Sequence, residues 1–455
     1  MQPMLAASFL ALALTAEPGS APIPEPSSQP AQRKVAPLSD RSLNLLAFGR
    51  TIGAKGKAME NPCVASEGGR CRATALDLFF AQLDALQAGR ATRSLKIVTF
   101  GNSLISADNV TNVVRERLSE RFGDGGRGLV LVDRFANYGP RSRSGYAYAG
   151  AWTAFNFAIG EKGRNVFGLG GVAHEATPGA FTEWRLKGET EAELFWLDRK
   201  DGGDFELKAD GKLLQKVASE KHDAPKRLRF QVPAGAKKLT LAAPHGRLSV
   251  FGISLERQTP GIVFDTIGVP AAEASHYLTV KEAIALDHIA ARDPKLLVFM
   301  LGGNEIRRLS WVRGAKADAR KASLENDLAT FVDRMKKGAP GAACLVVGPI
   351  DAVYNNADSP MKLKTRPQTD EINAMERKVA ADKGCAFFDL YAAMGGKGSL
   401  AKFHANSMLQ DDLVHPKGRG FDLLGELFAD ALLKAYVEAP ALQEELATRT
   451  PVDAR

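Results

Sequence analysis

Apolar residues in most of this chain follow two patterns, short nearly continuous runs and a helical spacing of three to four positions. The runs are typical of parallel strands buried on both faces, and the spaced positions are typical of helices with one buried side. The runs are LKIVTF at 95–100, GIVFDTIG at 261–268, LLVFMLGG at 296–303, CLVVGPI at 344–350 and CAFFDL at 385–390. The spaced positions predict helices over 76–86, 110–122, 324–335, 372–379 and 421–432, and one that ends at Arg292. Strand and helix alternate, which predicts an α/β fold with a mostly parallel sheet and right-handed crossovers.

The pattern changes between 140 and 258, where apolar and polar residues alternate. Phe205 and Leu207 show the alternation, and turn signals such as DGGD at 201–204 separate the runs. This segment is predicted to be an antiparallel β-sandwich, jelly-roll-like, inserted into the α/β chain.

The N-terminal residues resemble an export signal followed by a linker. A short apolar stretch at 4–16 precedes small residues, so cleavage is expected between about Ala13 and Ala21. No Lys or Arg precedes Arg33, and an apolar tail without a targeting role is the alternative. The predicted division is a signal peptide at 1–21, a Pro-rich linker at 22–60, a first core segment at 61–139, the β-sandwich at 140–258, a second core segment at 259–440 and a tail at 441–455.

Composition narrows the class of protein. With 45% hydrophobic and 25% charged residues over 455 positions, the chain can bury a large core, which excludes a disordered or coiled-coil protein. Beyond the N-terminus no apolar run is long enough to cross a bilayer, so no integral membrane contact is expected. The net charge of +8 is modest and no basic stripe stands out, so no nucleic-acid partner is expected.

The four cysteines suit an exported protein. Cys63 and Cys71 can close a small loop, and Cys344 and Cys385 each open an apolar run. If those two strands are neighbours, a second bridge is geometrically possible. Buried reduced thiols are the alternative. The cysteines contain no CxxC pair and the histidines show no metal-ligand spacing, so neither a metal nor a cofactor is predicted.

Ligands collect at the carboxyl ends of parallel strands, and three of the predicted strand ends are followed by reactive groups. They are Gly101-Asn102-Ser103, Gly302-Gly303-Asn304-Glu305 and, across a long loop, Asp412-Leu413-Val414-His415. A serine hydroxyl needs a base to remove its proton, and a His oriented by a carboxylate supplies one. Asn304 and the backbone N–H of Ser103 can then stabilise a developing oxyanion. Singly, each residue has a plainer explanation as a helix cap, a turn residue or a surface histidine.

The blocks GNS, GGNE and DLVH, in that order over about 90–438, resemble the SGNH (GDSL-type) hydrolase family. The run RERLSERFGDGGRG, the inserted β module and GIVFDTIGV resemble, more narrowly, periplasmic peptidoglycan O-acetylesterases with an embedded carbohydrate-binding-like sandwich. The resemblance implies a flavodoxin-like three-layer core. It implies Ser103 as nucleophile, His415 as base, Asp412 as the acid that orients it, and Asn304 with a backbone N–H of the second block as oxyanion donors.

The chain departs from the family pattern in three blocks. Asn102 stands where the family usually has Asp, and GGNE stands where it has GxND or GTNE. In the second block the oxyanion glycine aligns with Ala271, which keeps its N–H but resists positive φ, so either the turn differs or Gly268 takes the role.

The predicted function is therefore a metal-independent serine esterase, exported to the periplasm or secreted, which removes O-acetyl groups from a cell-envelope polysaccharide such as peptidoglycan. A glycan-binding protein that has lost turnover and a polysaccharide O-acetyltransferase on the same fold are the alternatives. Arg307 and Arg308, just beyond Asn304, either meet an anionic glycan or lie in a solvated loop. The sequence leaves open the acyl group, the sugar position and the oligomeric state.

Overall fold

The computed structural model describes residues 33, 37–133, 146–158, 166–356 and 359–439, without the side chains of 146–148. The predicted signal peptide and C-terminal tail lie outside these residues. In the part that is described, none of the helices combines the length and the apolar character needed to span a bilayer.

The helices alternate with strands through most of the chain. Their bounds are α1 Asp40–Thr51, α2 Asp77–Gln87, α3 Ser103–Ser106, α4 Asn109–Phe122, α5 Ala274–Leu278, α6 Glu282–Arg292, α7 Gly303–Leu309, α8 Ala315–Gly338, α9 Gln368–Asp382, α10 Leu390–Ala393, α11 Ser399–Ala405 and α12 Arg419–Glu438. The strands are β1 Cys63–Glu67, β2 Arg70–Thr74, β3 Leu95–Gly101, β4 Gly126–Val130, β5 Tyr146–Asn156, β6 Val172–Arg185, β7 Glu191–Asp198, β8 Phe205–Ala209, β9 Lys212–Val217, β10 Ala224–Gln231, β11 Lys238–Ala243, β12 Ser249–Glu256, β13 Ile262–Gly268, β14 Leu296–Met300, β15 Ala343–Val347 and β16 Ala386–Phe388.

Five of these strands form a parallel sheet in the spatial order β13-β3-β14-β15-β16. Numbered by their order along the chain, the strands run 2-1-3-4-5, which is the flavodoxin-like arrangement. The predicted fold class is confirmed. Strands β13, β14 and β15 are buried along their whole length, which explains why they are continuous apolar runs in the sequence.

Alternate side chains of the central strands pack into two different cores. In β14, Leu296, Val298 and Met300 pack with the apolar faces of α1, α2, α4 and α12. Leu297 and Phe299 pack on the other side, with α5, α6, α8 and α9. Because successive side chains of a strand point to opposite faces, this division makes a three-layer domain with the sheet in the middle.

The β module is a nine-stranded antiparallel sheet that curls around its own core, which includes the fully buried Trp184. Strand β6 joins its two sides, since residues 174–175 pair with β12 and residues 180–185 pair with β11. The module begins before the predicted boundary at 140, because β4 pairs with β12 over 126–130. Strand β4, the first strand of the β module, thus follows directly after helix α4 of the parallel-sheet domain.

Buried charges join the β module to the parallel-sheet domain. The guanidinium of Arg292 is fully buried and donates to Asp265 Oδ2 in β13 at 2.6 Å and to Glu256 Oε1 at the end of β12 at 2.7 Å. Burial raises the pKa of Glu256, but Arg292 and Lys96 outweigh that effect and bring it to about 2. The carboxylate therefore stays ionised, and both domains depend on the same buried guanidinium.

The predicted linker at 22–60 contains helix α1, so its second half belongs to the folded domain. The side chain of Ser39 accepts a hydrogen bond from Ser42 N and caps the helix. Leu45 is buried in the core beside the sheet. The proline-rich composition that predicted a linker ends at Pro37, before this helix begins.

Both predicted disulfides are present. Cys63 and Cys71 bridge the β1–β2 hairpin, and Cys344 and Cys385 join neighbouring parallel strands with their Cα atoms 4.7 Å apart. The second bridge is buried and the hairpin bridge is exposed.

Replacing Cys344 and Cys385 together by Ala should lower the free energy of unfolding more than replacing Cys63 and Cys71. Cys344 and Cys385 are 41 positions apart along the chain, and Cys63 and Cys71 are 8 positions apart. Loop-closure entropy then predicts losses of about 4 and about 2.5 kcal/mol. Urea unfolding of the two double variants under identical conditions checks the order, and a larger loss for the hairpin pair would contradict it.

Candidate functional site

Ser103 stands where strand β3 meets helix α3. The preceding Asn102 caps this helix, because its Oδ1 accepts a hydrogen bond from Leu104 N at 3.0 Å. Gly101 ends the strand at a point where a Cβ would lie 2.6 Å from Met300 O of the neighbouring strand, so glycine is required there. The amide at Asn102 therefore holds the turn that presents Ser103, although the family pattern has Asp in its place.

His415 lies in a tight loop before α12. Asp412 Oδ1 accepts hydrogen bonds from Val414 N at 2.8 Å and from His415 N at 3.0 Å, and Leu413 takes a positive φ of 56° within the turn. The loop is closed by a hydrogen bond from Gln410 N to His415 O at 2.8 Å. Local hydrogen bonds thus put both side chains on one side of the loop.

Ser103, His415 and Asp412 form a continuous hydrogen-bonded chain. His415 Nδ1 lies 2.6 Å from Asp412 Oδ2, and His415 Nε2 lies 2.8 Å from Ser103 Oγ. A carboxylate only accepts hydrogen bonds, so Nδ1 carries the ring proton and donates a hydrogen bond to Asp412. Nε2 then accepts from the serine hydroxyl. This arrangement can remove a proton from Ser103 and pass it on.

The charge state of Asp412 suits this arrangement. Burial raises the pKa of its carboxyl, but hydrogen bonds from the His415 ring and from two backbone N–H groups outweigh burial and hold the pKa below the ordinary value. The carboxylate remains ionised and can stabilise a positive charge on the imidazole.

Asn304 is the second residue of α7, which follows β14, and it lines the same cavity as Ser103 and His415. Its Nδ2 donates to Ala272 O at 2.9 Å, which fixes the amide and leaves one of its hydrogens for another acceptor. Within the described residues, no hydrogen bond uses the N–H of Ser103 or of Ala271. The N–H of Ser103 and the remaining hydrogen of Asn304 can therefore stabilise an anion near Ser103.

Ala271 adopts the conformation that a glycine would normally take. Its φ is 62°, and Ala272 N donates to Val269 O at 3.1 Å, which closes a turn with Pro270 and Ala271 at its centre. Gly268 ends β13 and packs against the backbone of Ser106, where a Cβ would lie 2.6 Å from Ser106 N. Neither Ala271 nor Gly268 is among the described residues that line the cavity.

The cavity itself is small, with a volume of about 50 Å³. Much of its wall is apolar, including Leu104, Ile350 and Val353. Asp351 and Arg307 add charged groups. Sequence reasoning missed Asp351, although it follows the end of β15 and was therefore open to the same search of strand ends.

Two carboxyl groups are buried behind Asn304. Burial, and next the charge of Glu273, raise the pKa of Glu305 to about 8. Burial and Glu305 raise the pKa of Glu376 well above its ordinary value. The Oε2 atoms of Glu305 and Glu376 have no hydrogen-bond partner among the described residues. No sequence signal pointed to Glu376, which comes from α9.

A group of possible metal ligands lies in the β module. The ligand atoms of Asp198, Glu220 and His222 lie within 4.8 Å of one another. Asp198 already accepts hydrogen bonds from Ser219 Oγ and from the backbone of Lys221 and His222. Its carboxylate is satisfied by the loop that it orders, so the group is explained without an ion.

Replacing Ala271 by Gly should raise the free energy of unfolding by about 1 kcal/mol, because glycine adopts positive φ without a steric cost. Chemical denaturation measures the change. Ala272→Gly is the matched control, since the φ of Ala272 is not positive, and it should destabilise the protein. A loss of stability in both variants would contradict the assigned turn.

Replacing Glu305 by Gln should stabilise the protein more at pH 9 than at pH 5. The raised pKa means that the folded chain holds a proton between pH 4.5 and 8 that the unfolded chain releases, so stability falls as the pH rises through this window. Gln keeps the shape and removes the ionisation. Melting temperatures at both pH values test this, with the exposed Glu120→Gln as control, and an equal gain at both would contradict it.

Comparisons with known proteins give a family match and a shared fold. Residues 237–423 match the family model described as GDSL-like lipase/acylhydrolase. The match includes Asn304, Asp412 and His415 but begins after Ser103, and it starts within the β module. No curated protein sequence matches this chain.

The solved structure of a peptidoglycan O-acetylesterase superposes with a TM-score of 0.67 and 19% identity, covering 80% of this chain and 97% of that chain. At that identity the likeness shows the shared fold. A lipase/acylhydrolase from Enterococcus faecalis has 18% identity and a TM-score of 0.28, covering 38% of this chain and 77% of that one. The C-terminal CBM6 of LamC from Zobellia galactanivorans has 13% identity and a TM-score of 0.19, covering 25% of this chain and 93% of that chain. Residues 237–423, which make up about 41% of this chain, are therefore similar to the GDSL-like lipase/acylhydrolase family, and the parallel sheet has the flavodoxin-like strand order.

Proposed function

We propose that this chain is a serine esterase that removes O-acetyl groups from a cell-envelope polysaccharide, with peptidoglycan as the favoured substrate. The observation that carries the proposal is the hydrogen-bonded chain from Ser103 Oγ through His415 to Asp412, with distances of 2.8 and 2.6 Å. This is the arrangement that makes a serine hydroxyl nucleophilic at neutral pH.

The reaction proceeds in two halves. Ser103 Oγ attacks the acetyl carbonyl carbon while its proton moves to His415 Nε2, and the ionised Asp412 stabilises the imidazolium. The bond from the carbonyl carbon to the sugar oxygen breaks, and His415 returns the proton to that oxygen, which leaves acetyl-Ser103. Water then attacks the acetyl group as His415 takes its proton, and acetate leaves while Ser103 regains its hydrogen.

The oxyanion of each tetrahedral intermediate needs fixed donors. The N–H of Ser103, the second hydrogen of Asn304 Nδ2 and the N–H of Ala271 are proposed for this role. The hydrogen bond from Asn304 to Ala272 O supports it, because it joins the α7 donor to the turn that carries Ala271. Gly268, the sequence alternative to Ala271, is proposed to serve the close packing of β13 on α3 instead.

The small cavity favours a short acyl group. A cavity needs roughly 10–15 Å³ to hold one water molecule, so a volume of about 50 Å³ admits a group of a few heavy atoms, such as acetyl. The apolar wall formed by Ile350 and Val353 suits a methyl group.

The glycan substrate and the location are supported by the fold. A structure with the same fold over 80% of this chain is that of a peptidoglycan O-acetylesterase. We assign the β module a role in holding carbohydrate, and the two disulfides are consistent with an exported protein. The geometry around Asn102 and Ala271 favours an active enzyme over a protein that only binds glycan, because both substitutions leave the turns of the site formed.

Ser103→Ala should abolish acetate release from O-acetylated peptidoglycan, by at least a factor of about 1000, because it removes the nucleophile. The melting temperature should stay unchanged. The measurement is acetate release from peptidoglycan and from acetylated xylan, with the exposed Ser323→Ala as the matched control. Release by the Ser103 variant at the wild-type rate would refute the mechanism, and an acetylated sugar product that requires an added acceptor would identify a transferase.

A further inference from the structure

One face of helix α7 leads from the site to the protein surface. Asn304, Arg307 and Trp311 are separated by three and then four positions. The helical winding continues past Leu309, since Ser310 N donates to Ile306 O at 3.0 Å and Trp311 N donates to Arg308 O at 3.2 Å. Residues with this spacing lie on the same side of a helix. The spacing therefore puts Trp311, in the turn after α7, on the side of the helix that carries Asn304 and Arg307, and these two residues line the cavity beside Ser103.

Arg307 is a cation in the cavity wall, and none of the described residues neutralises it. It lines the cavity with Ser103 and His415, and among the described residues its guanidinium makes neither an ion pair nor a hydrogen bond. By contrast, the neighbouring Arg308 pairs with Glu273 at 3.0 Å and donates to Ala271 O. Arginine that lines a cavity with all its donors free is suited to a carboxylate, which it can bind with two hydrogen bonds.

The surroundings of Arg307 add to the positive charge. Arg366 bonds to Val353 O, Ser310 Oγ and Asn355 Oδ1, all uncharged acceptors. Burial, and next the charge of Arg307, lower the pKa of Arg366, which indicates that the two guanidinium groups lie near each other.

Neither of the nearby acids forms an ion pair with Arg307 among the described residues. Asp412 does not line the cavity and binds the ring of His415. Asp351 lines the cavity, and its Oδ2 accepts from Leu400 N at 3.0 Å while its Oδ1 has no hydrogen-bond partner among the described residues. Burial raises the pKa of Asp351, which favours its neutral form, so the guanidinium of Arg307 stays available to an anion.

Trp311 is the most exposed large apolar side chain of the described residues, with 70% of its surface accessible. Trp184 and Trp196 are buried and Trp152 is half-buried. An exposed indole presents a flat, rigid ring with a polar N–H, which is well suited to pack against a sugar ring.

We infer that Arg307 and Trp311 form a sugar-binding subsite that recognises a carboxylate-bearing sugar next to the reacting ester. Trp311 packs against the ring of this sugar and Arg307 binds its carboxylate, while Asn304 interacts with the reacting acetyl ester. The inference rests on the proposed function, because it names an acidic glycan as the substrate class of the same site. Among interface residues, Trp and Arg carry the largest contributions to binding energy.

The test measures binding without turnover. The full chain carrying Ser103→Ala is titrated calorimetrically with two tetrasaccharides, chitotetraose and the dimer of N-acetylglucosaminyl-N-acetylmuramic acid. The second probe carries a lactyl ether with a terminal carboxylate on two of its four sugars, and the first probe carries none. The muramic acid probe should bind about tenfold more tightly, and Arg307→Gln should remove most of that preference. Arg313→Gln, which removes a charge outside the cavity, should keep it.

Trp311→Ala should lower the binding affinity for both sugars by about tenfold, and Trp311→Phe should keep most of the wild-type affinity. Acrylamide quenching of tryptophan fluorescence should fall when either sugar binds, since Trp311 is the highly exposed indole of the described residues. An unchanged preference in Arg307→Gln, unchanged affinity in Trp311→Ala, or no binding of either sugar would overturn the subsite. Failure of the esterase proposal is separate, because it appears as missing acetate release by the chain with Ser103 intact.

Discussion

Parallel pairing at the centre of the sheet is the constraint on which the site depends. Gly101 at the end of β3 is paired with Gly268 on one side and Met300 on the other. The hydroxyl of Tyr277 lies 2.6 Å from Gly101 O and 3.0 Å from Ile267 O, and its single hydrogen is shared between these two carbonyls. Because these strands end at one edge, the segments that follow them share one space. Ser103 and His415 meet there although 312 positions separate them in the chain.

Unfavourable local features are concentrated around this edge. Ala271 has a positive φ, and Glu305 and Glu376 are buried with unpaired oxygens and raised pKa values. Strained backbone and unsatisfied polar groups persist only where the surrounding structure enforces them, and they are often found at functional sites. The buried layers of the parallel-sheet domain supply that stability.

The β module is joined to the parallel-sheet domain by charged groups as well as by apolar contacts. Asp265 accepts from Arg292 and from Leu129 N of β4, while Arg292 also binds Glu256. Removing one member of such a buried network would leave an uncompensated charge, which is strongly destabilising. The module is thereby held in a fixed position relative to the parallel-sheet domain.

The sequence by itself predicted the fold class and both disulfides correctly, because strand runs and the groups that follow them are local in the chain. It also named Ser103, Asp412 and His415, whose side chains the structure joins by hydrogen bonds. Its boundaries were less accurate: β4 pairs with β12 before residue 140, and α1 lies within the predicted linker. Only the tertiary structure decided that Ala271 takes positive φ, that Glu376 faces Glu305, and that Arg307 has no partner among the described residues while Arg308 has one. Such features depend on which distant side chains surround a residue, and no local pattern records that.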